Sequence, residues 1–215
     1  MRVLYLHGFA SGPGSAKGRA FASYFGQRGI DLDCLDLRRP SLAQLRLTAI
    51  LAEVERAMAG RPAVLIGSSL GGLAAARLAE RTELVRGLVL LAPAFRLIER
   101  WRRRIGEPAW AAWRATGSLE VLDHTTGRPA LVDIGFADDV AAIDAAGDGW
   151  PTLRVPTWIA HGQRDDVVDP ALSRQMASRH PDLVTLVEVD DDHQLLASVP
   201  TLLPAAFAAV RAVVS

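Results

Sequence analysis

The chain has 215 residues, with 24 lysines and arginines against 24 aspartates and glutamates, and half of its residues are apolar. A neutral chain lacks the basic field that attraction to nucleic-acid phosphates requires, and a single cysteine excludes a disulfide scaffold. This length can bury a full hydrophobic core and favours one domain over two. We therefore expect a single domain over residues 1–215, with no nucleic-acid partner.

The apolar segments of the sequence are too short for a membrane protein. No window approaches the roughly 18 uninterrupted apolar residues that a spanning helix requires. The apolar run near the first residue is shorter than the core of a secretory signal, and the Ala-rich stretch 204–214 is better explained as a docked helix. We expect a cytoplasmic protein without a membrane span.

Short apolar runs alternate with longer segments of helical period, which predicts a parallel sheet covered by helices on both faces. The predicted strands are, in chain order, residues 3–6, 32–37, 63–66, 87–91, 157–160 and 183–189. The clearest predicted helices are residues 41–59, 70–80, 170–180 and 200–213. Ser41 and Gln44 have the spacing of a capping box at the start of the first of these helices.

The segment between Pro93 and Pro156 interrupts this alternation, because it predicts helices and no strand. Four of the five tryptophans lie in it: Trp101, Trp110, Trp113 and Trp150. A long insertion after a strand usually covers a site, so we predict a cap or lid at about residues 95–150. The first three tryptophans, together with Phe9, are predicted to line an apolar substrate pocket. The alternative is that the tryptophans fill a second small core, and the two roles can hold together.

The strongest local motif is Gly67-Ser68-Ser69-Leu70-Gly71, a Gly-x-Ser-x-Gly pattern between a predicted strand and a predicted helix. A serine in this turn has a strained backbone and a hydroxyl that projects above the sheet. Glycines are needed on both sides because a Cβ would collide with neighbouring backbone. Ser69 is therefore the predicted nucleophile. The backbone N–H groups of Leu70 and Phe9 are predicted to form an oxyanion hole.

A serine nucleophile needs a base, and His193 is the best placed histidine. It follows the last predicted strand, at the carboxyl edge where the active sites of open α/β sheets form. His161 also ends a strand, but we interpret it as structural. His180 is interpreted as a surface residue, and His124 is the weakest competitor.

The third residue must be a carboxylate that orients the imidazole and stabilises its protonated form. Asp165 is the first candidate after the strand at 157–160, with Asp166 and Asp169 as alternatives. The chain order Ser69, Asp165, His193 is the order expected for an α/β-hydrolase fold.

No cofactor or metal is predicted. The loop at residues 10–15 is rich in glycine but lacks the Gly-Lys-Ser/Thr ending of a phosphate-binding loop and the Gly-x-Gly-x-x-Gly spacing. The sequence has no His-Glu-x-x-His motif and no paired cysteines, and the aspartates at 190–192 are typical of a solvated turn.

The sequence resembles the small YqiA-type bacterial esterases of the α/β-hydrolase superfamily. The residues that carry this resemblance are Tyr5-Leu6-His7-Gly8-Phe9, Ser11, Pro13, Ser15, Lys17 and Gly67-Ser68-Ser69-Leu70-Gly71-Gly72. Three further segments are similar to acyl-thioesterase-like α/β hydrolases: Leu91-Ala92-Pro93-Ala94-Phe95, Phe136-Ala137-Asp138-Asp139 and Asp192-His193. The resemblance implies an α/β-hydrolase fold with a shortened, mostly parallel sheet and a helical cap. It also implies a cofactor-free carboxylesterase or thioesterase with a Ser-Asp-His triad, Ser69, Asp165 and His193.

These observations predict a serine hydrolase that cleaves a small-molecule carboxylic ester or thioester through an acyl-enzyme. The alternatives are a non-catalytic binding protein on the same fold, or a peptidase or acyltransferase on the same triad, because fold alone does not separate them. Arg100 and the arginines at 102–104 are candidates for binding an anionic group such as that of an acyl-CoA. The alternative for these arginines is a solvated helix face.

Overall fold

The computed structural model describes residues 1–146 and 148–214. The strands in these ranges are β1 (Arg2–Leu6), β2 (Asp33–Leu35), β3 (Ala63–Ser68), β4 (Val85–Leu91), β5 (Ser118–Asp123), β6 (Arg128–Asp133), β7 (Thr157–Gly162) and β8 (Val184–Val189). Six of them form one parallel sheet in the order β2-β1-β3-β4-β7-β8, and β5 pairs with β6 in a separate antiparallel hairpin. All six strands predicted from the sequence are therefore confirmed, with shifts at their ends.

The helices connect these strands. They are α1 (Ala16–Gly26), α2 (Leu47–Met58), α3 (Leu70–Ala79), α4 (Leu97–Thr116), α5 (Gly135–Asp144), α6 (Ala171–Arg179) and α7 (Val199–Val214). Among the described residues, no helix combines the length and the apolar character needed to cross a membrane.

Alternating side chains of the central strands face two separate cores. Leu65 and Leu90 face a core that includes residues of α2, α3, α4 and α5. Val64 and Val89 face the opposite core, which is closed by α1 and α7. Because successive residues of a strand point to opposite faces, strands covered on both sides are apolar along their whole length. The predicted layering, with helices on both faces of the sheet, is confirmed.

The prediction that no strand lies between Pro93 and Pro156 is wrong, because the β5–β6 hairpin lies there. Val121 pairs with Ala130 and points inward, whereas Leu122 and Leu131 are about half exposed on the outer face. A hairpin with one buried face shows only a weak alternation in sequence, and the proline in β6 lowers its strand signal further.

The predicted start of the helix at residues 41–59 is also wrong. The Ser41 hydroxyl does accept a hydrogen bond from the Gln44 N–H at 3.2 Å, but it does so in a turn. Helix α2 begins at Leu47, after an extended Arg46. The same side-chain-to-backbone contact serves turns and helix ends, so the spacing alone did not fix which one forms.

Candidate active site

Ser69 lies at the point where β3 passes directly into α3. Its backbone has φ 52° and ψ −113°, a sparsely populated conformation for a residue with a side chain. Hydrogen bonds hold it in place: its N–H donates to Leu91 O at 2.9 Å, and its C=O accepts from Ala94 N at 3.0 Å. The strained conformation is thus imposed by β4 and the residues that follow β4.

Two glycines make this turn possible. A Cβ on Gly67 would lie 2.4 Å from the carbonyl oxygen of Gly71. A Cβ on Gly71 would lie 2.2 Å from the carbonyl oxygen of Leu6, at the end of β1. The start of α3 therefore packs directly on the ends of β1 and β3, at distances that only glycine allows.

His193 reaches Ser69 from the loop that follows β8. Its Nε2 lies 3.0 Å from the Ser69 hydroxyl oxygen. The loop is held from two sides, because the Asp191 carboxylate accepts from Ser198 N at 2.8 Å and the buried Lys17 ammonium donates to the carbonyl of residue 194 at 2.8 Å. The imidazole is therefore fixed within hydrogen-bond distance of the hydroxyl.

Asp165 lies on the other side of the imidazole. Its Oδ2 lies 2.7 Å from His193 Nδ1, and its Oδ1 accepts from the N–H groups of Val167 and Val168 at 2.8 and 2.7 Å. Burial by itself raises the pKa of Asp165, but hydrogen bonds from His161 and His193 outweigh it and hold the pKa below its usual range. The carboxylate is therefore ionised at neutral pH.

The alternative acids do not take this position. Asp166 and Asp169 are both exposed, and the Asp169 carboxylate accepts from Ala171 N at 2.8 Å, at the start of α6. Of the three aspartates considered from the sequence, the structure brings only Asp165 against His193.

The residues that carry the predicted oxyanion donors are neighbours of residues at the turn: Leu70 follows Ser69, and Phe9 follows Gly8. A Cβ on Gly8 would be 3.5 Å from the Ser69 Cβ, and Phe9 and Leu70 line the same cavity of about 10 Å³. Within the part of the chain that the structure describes, neither N–H donates to another protein atom. Both predicted donors are therefore free, and their role in an oxyanion hole stays a prediction.

His7 holds the loop that carries Phe9. Its Nδ1 donates to Gly8 O at 2.9 Å, and its Nε2 accepts from Leu37 N at 3.1 Å. Burial lowers the pKa of His7, which agrees with a neutral ring that accepts at Nε2. The sequence motif contained His7, but its contact with Leu37, beyond the end of β2, had no signal in the sequence.

The remaining histidines differ in their relation to the site. His124 is exposed in the turn of the hairpin, and His180 lies at the end of α6. His161 is fully buried, and its Nε2 lies 3.1 Å from Asp165 Oδ2. Sequence reasoning gave His161 a structural role and missed this contact with the predicted acid.

The predicted tryptophan pocket is placed only in part beside the site. The Trp101 ring packs edge-on against Phe9, with 4.8 Å between ring centroids. Trp113 is buried, with its Nε1 donating to Val132 O at 3.2 Å, and Trp110 packs against it at 5.5 Å. Trp110 and Trp113 thus pack in the core on the side of α2 to α5, and the substrate pocket stays a prediction.

The arginines of α4 are used within the protein. Arg102 and Arg103 form exposed ion pairs with glutamates at 2.7 and 2.9 Å, as the solvated-face alternative expects. Arg100 donates to the carbonyl of Val167 at 2.6 Å, and Arg104 donates to the preceding carbonyl at 2.9 Å. The last two contacts attach α4 to the loop that carries Asp165.

This sheet order and this strand-to-helix turn define the α/β-hydrolase fold, and solved structures share it. Alpha/beta hydrolase domain-containing protein 10 from mouse matches with a TM-score of 0.74 at 20% identity, over 94% of this chain and 86% of that chain. Est1E from Butyrivibrio proteoclasticus with ferulic acid bound gives 0.74 at 16% identity, over 99% and 88%. Monoacylglycerol lipase from Paleococcus ferrophilus gives 0.72 at 15% identity, over 96% and 93%. The predicted fold class is confirmed.

The chain belongs to the Uncharacterised protein family (UPF0227), whose model matches residues 2–206. The resemblance to the YqiA-type members of the α/β-hydrolase superfamily is thereby confirmed. No curated protein sequence matches the chain.

Proposed function

We propose that this protein is a serine hydrolase that cleaves carboxylic esters or thioesters through an acyl-enzyme. The observation that carries the proposal is the series of contacts from Ser69 Oγ to His193 Nε2, at 3.0 Å, and from His193 Nδ1 to Asp165 Oδ2, at 2.7 Å. A nucleophile hydrogen-bonded to a base, which a third group orients, is the arrangement that acyl transfer requires.

Each residue then has a defined step. His193 takes the proton of the Ser69 hydroxyl as the oxygen attacks the carbonyl carbon, and Asp165 stabilises the imidazolium that forms. The N–H groups of Phe9 and Leu70 stabilise the negative oxygen of the tetrahedral intermediate. His193 returns the proton to the departing alcohol or thiol, and water resolves the acyl-enzyme by the same steps in reverse.

The segment from α4 to α5 is proposed to act as the cap of this site. It contacts both loops that carry predicted site residues: Trp101 packs on Phe9, and Arg100 donates to the carbonyl of Val167. The hairpin adds a third contact, since His124 N donates to Ala10 O at 2.9 Å. We propose that the apolar rings at Phe9 and Trp101 form one wall of the acyl pocket.

Structural neighbours with esterase and lipase names support the proposed reaction type. Est1E was solved with ferulic acid bound, and the Paleococcus ferrophilus protein is a monoacylglycerol lipase. At 16% and 15% identity, they support a small-molecule acyl substrate without specifying which one.

A fluorophosphonate probe tests the proposal directly, because it labels only an activated serine. We expect stoichiometric labelling of the wild type and none of Ser69→Ala. Ser68→Ala is the matched control, since it removes the neighbouring hydroxyl of the same motif, and it is expected to label like the wild type. No labelling of the wild type, or equal labelling of Ser69→Ala, would favour the non-catalytic binding protein.

A substrate panel separates the remaining classes. We expect turnover of p-nitrophenyl esters or acyl-CoA thioesters, with loss of at least about a thousandfold in Ser69→Ala. A peptide p-nitroanilide that turns over faster than every ester and thioester would favour a peptidase instead. Product formation that requires an added alcohol or amine acceptor would favour an acyltransferase.

A further inference from the structure

His161 is a buried histidine that the proposed chemistry does not use. It lies near the end of β7, and its side chain has no exposed surface. Its Nε2 lies 3.1 Å from Asp165 Oδ2 and 2.9 Å from the carbonyl of Val168, and its Nδ1 lies 2.7 Å from the Ser173 hydroxyl. Both ring nitrogens therefore make hydrogen bonds, and Nε2 contacts the predicted catalytic acid.

These contacts define which ring nitrogen donates to Asp165. Both partners of Nε2 are acceptors, so Nε2 carries a proton and shares it between Asp165 and Val168. The hydroxyl of Ser173, on α6, lies against the other ring nitrogen, Nδ1. The ring is therefore held at both nitrogens, and Nε2 is the one that donates to Asp165.

We propose that His161 is a positioning residue that holds the Asp165 carboxylate with Oδ2 directed at His193. The proposal rests on the proposed function, because it gives His161 a role only through that triad. Oδ1 is already held by two backbone N–H groups, whereas Oδ2 would contact His193 alone if the His161 donor were absent. His161 thus fixes the one oxygen that the base uses.

The proposal has a consequence for the pH dependence of the reaction. The charged groups that face Asp165 from the packed elements are His193, Arg100 of α4 and Lys17 of α1. Without the His161 donor, Oδ2 is no longer held toward His193, so the imidazolium of His193 loses part of the negative charge that stabilises it. The acidic limb of the pH–rate profile should then move to lower pH.

Two substitutions distinguish this role from packing. In His161→Gln, the amide NH₂ lies near the former Nε2 and offers two N–H donors to the same two acceptors. In His161→Asn, the amide lies near the former Nδ1, so it contacts Ser173 but does not reach Asp165. Both variants place one polar amide in the same cavity. His180→Asn, outside the site, is the control for a histidine substitution.

We expect His161→Asn to lower kcat by between about tenfold and a hundredfold with KM little changed, since Asp165 does not touch substrate. Its acidic limb should move down by about half a pH unit. His161→Gln should remain within about fivefold of the wild type, with an unmoved limb. In NMR spectra, the downfield Nδ1 proton of His193 should persist in the Gln variant and broaden in the Asn variant. Measurements are p-nitrophenyl ester kinetics from pH 5 to 9 and thermal unfolding.

Equal losses in the two variants, in proportion to their unfolding temperatures and with an unmoved limb, would overturn the proposal. If neither variant folds, Ser173→Ala tests it, because the ring then loses the hydroxyl that holds Nδ1. That variant should show the same changes at a smaller size, and wild-type kinetics in Ser173→Ala would contradict the proposal. If the fluorophosphonate probe does not label the wild type, the proposed function itself is overturned. If the wild type is labelled but the His161 variants have wild-type kinetics, only the role of His161 is overturned.

Discussion

The two halves of the candidate site differ in how far their hydrogen-bonding groups are paired within the protein. In the acid–base half, the Asp165 carboxylate accepts four hydrogen bonds, from two histidines and two backbone N–H groups. In the nucleophile half, Ser69 has a strained backbone, and the N–H groups of Phe9 and Leu70 donate to no protein atom in the described part of the chain. One half is saturated with partners, and the other keeps donors free.

This difference follows from what each half has to do. A charge that must orient a base throughout the reaction gains from full hydrogen bonding, which fixes it without further reorganisation. Donors that stabilise an oxyanion must stay free until a substrate supplies one. The strain at Ser69, typically about 1–3 kcal/mol for such a conformation, is maintained by its hydrogen bonds to Leu91 and Ala94 and by the close packing of α3 on β1.

The largest effect on activity is expected from a substitution of the carboxylate at the centre of the acid–base half. Asp165→Asn replaces an acceptor by an amide whose NH₂ would meet donors from His193 and His161. We expect kcat/KM to fall by about 10³- to 10⁴-fold, because the imidazole loses both its orientation and the charge that stabilises its protonated form. Ester hydrolysis and the rate of fluorophosphonate labelling measure this.

The matched control is Asp166→Asn, which alters the exposed neighbouring aspartate and should stay within about twofold of the wild type. Comparable losses in Asp165→Asn and Asp166→Asn would mean that the acid–base half is assigned to the wrong carboxylate.

A smaller effect on activity is expected from displacing the loop that carries His193 from the strand that leads to Asp165. A Cβ on Gly162, at the end of β7, would lie 2.4 Å from the carbonyl oxygen of Asp191 in the loop that carries His193. Gly162→Ala should therefore displace that loop, lowering kcat by up to about a hundredfold. We also expect a loss of about 1–3 kcal/mol in the free energy of unfolding, measured in urea.

Gly26→Ala supplies the comparison, since a Cβ there meets nothing within 4 Å. It should leave the activity unchanged. If Gly162→Ala kept full activity while being destabilised, the loop with His193 would be adaptable rather than fixed, and the contrast between the two halves would be weaker.

The sequence predicted the frame of this site well, for a physical reason. Parallel strands covered on both faces are continuous apolar runs, and the residues after them lie together at one edge of the sheet. That is sufficient to group Ser69, Asp165 and His193 before any coordinates are known. The Gly-x-Ser-x-Gly motif adds the turn, because its glycines are required by backbone contacts.

What the sequence did not predict depends on contacts between distant segments. The β5–β6 hairpin has one buried face and a proline, so its alternation is weak. Trp110 and Trp113 have the composition expected of a pocket or of a core, and only the packing of distant segments shows that they lie in a core. The proposed role of His161 depends on the conformation of the loop after β7 and on Ser173 from α6, and no spacing in the sequence predicts either.

The smallest expected effect concerns Lys17, which links the two halves, because α1 follows the Phe9 loop and Lys17 contacts the His193 loop. Burial lowers the pKa of Lys17 to about 8, although nearby aspartates partly oppose this. An unfolded lysine titrates near about 10.4, so between these two values the unfolded state binds more protons than the folded state. Over that range, the free energy of unfolding of the wild type should rise with pH relative to Lys17→Met, by at most about 1.4 kcal/mol per pH unit.

Lys17 is the only lysine in the sequence, and Lys17→Met is expected to keep the aliphatic packing while removing the titrating group, so the difference between the two proteins isolates this residue. Urea unfolding at pH 7, 8.5 and 9.5 measures it: the difference should be constant below about pH 8 and change above it. Below pH 8, the folded state buries a charged ammonium, which lowers the free energy of unfolding. Deprotonation above pH 8 removes this penalty, so the free energy of unfolding rises with pH. A difference that stays constant from pH 7 to 9.5 would mean that the ammonium is solvated, and that the link between the Phe9 loop and the His193 loop is not buried as described.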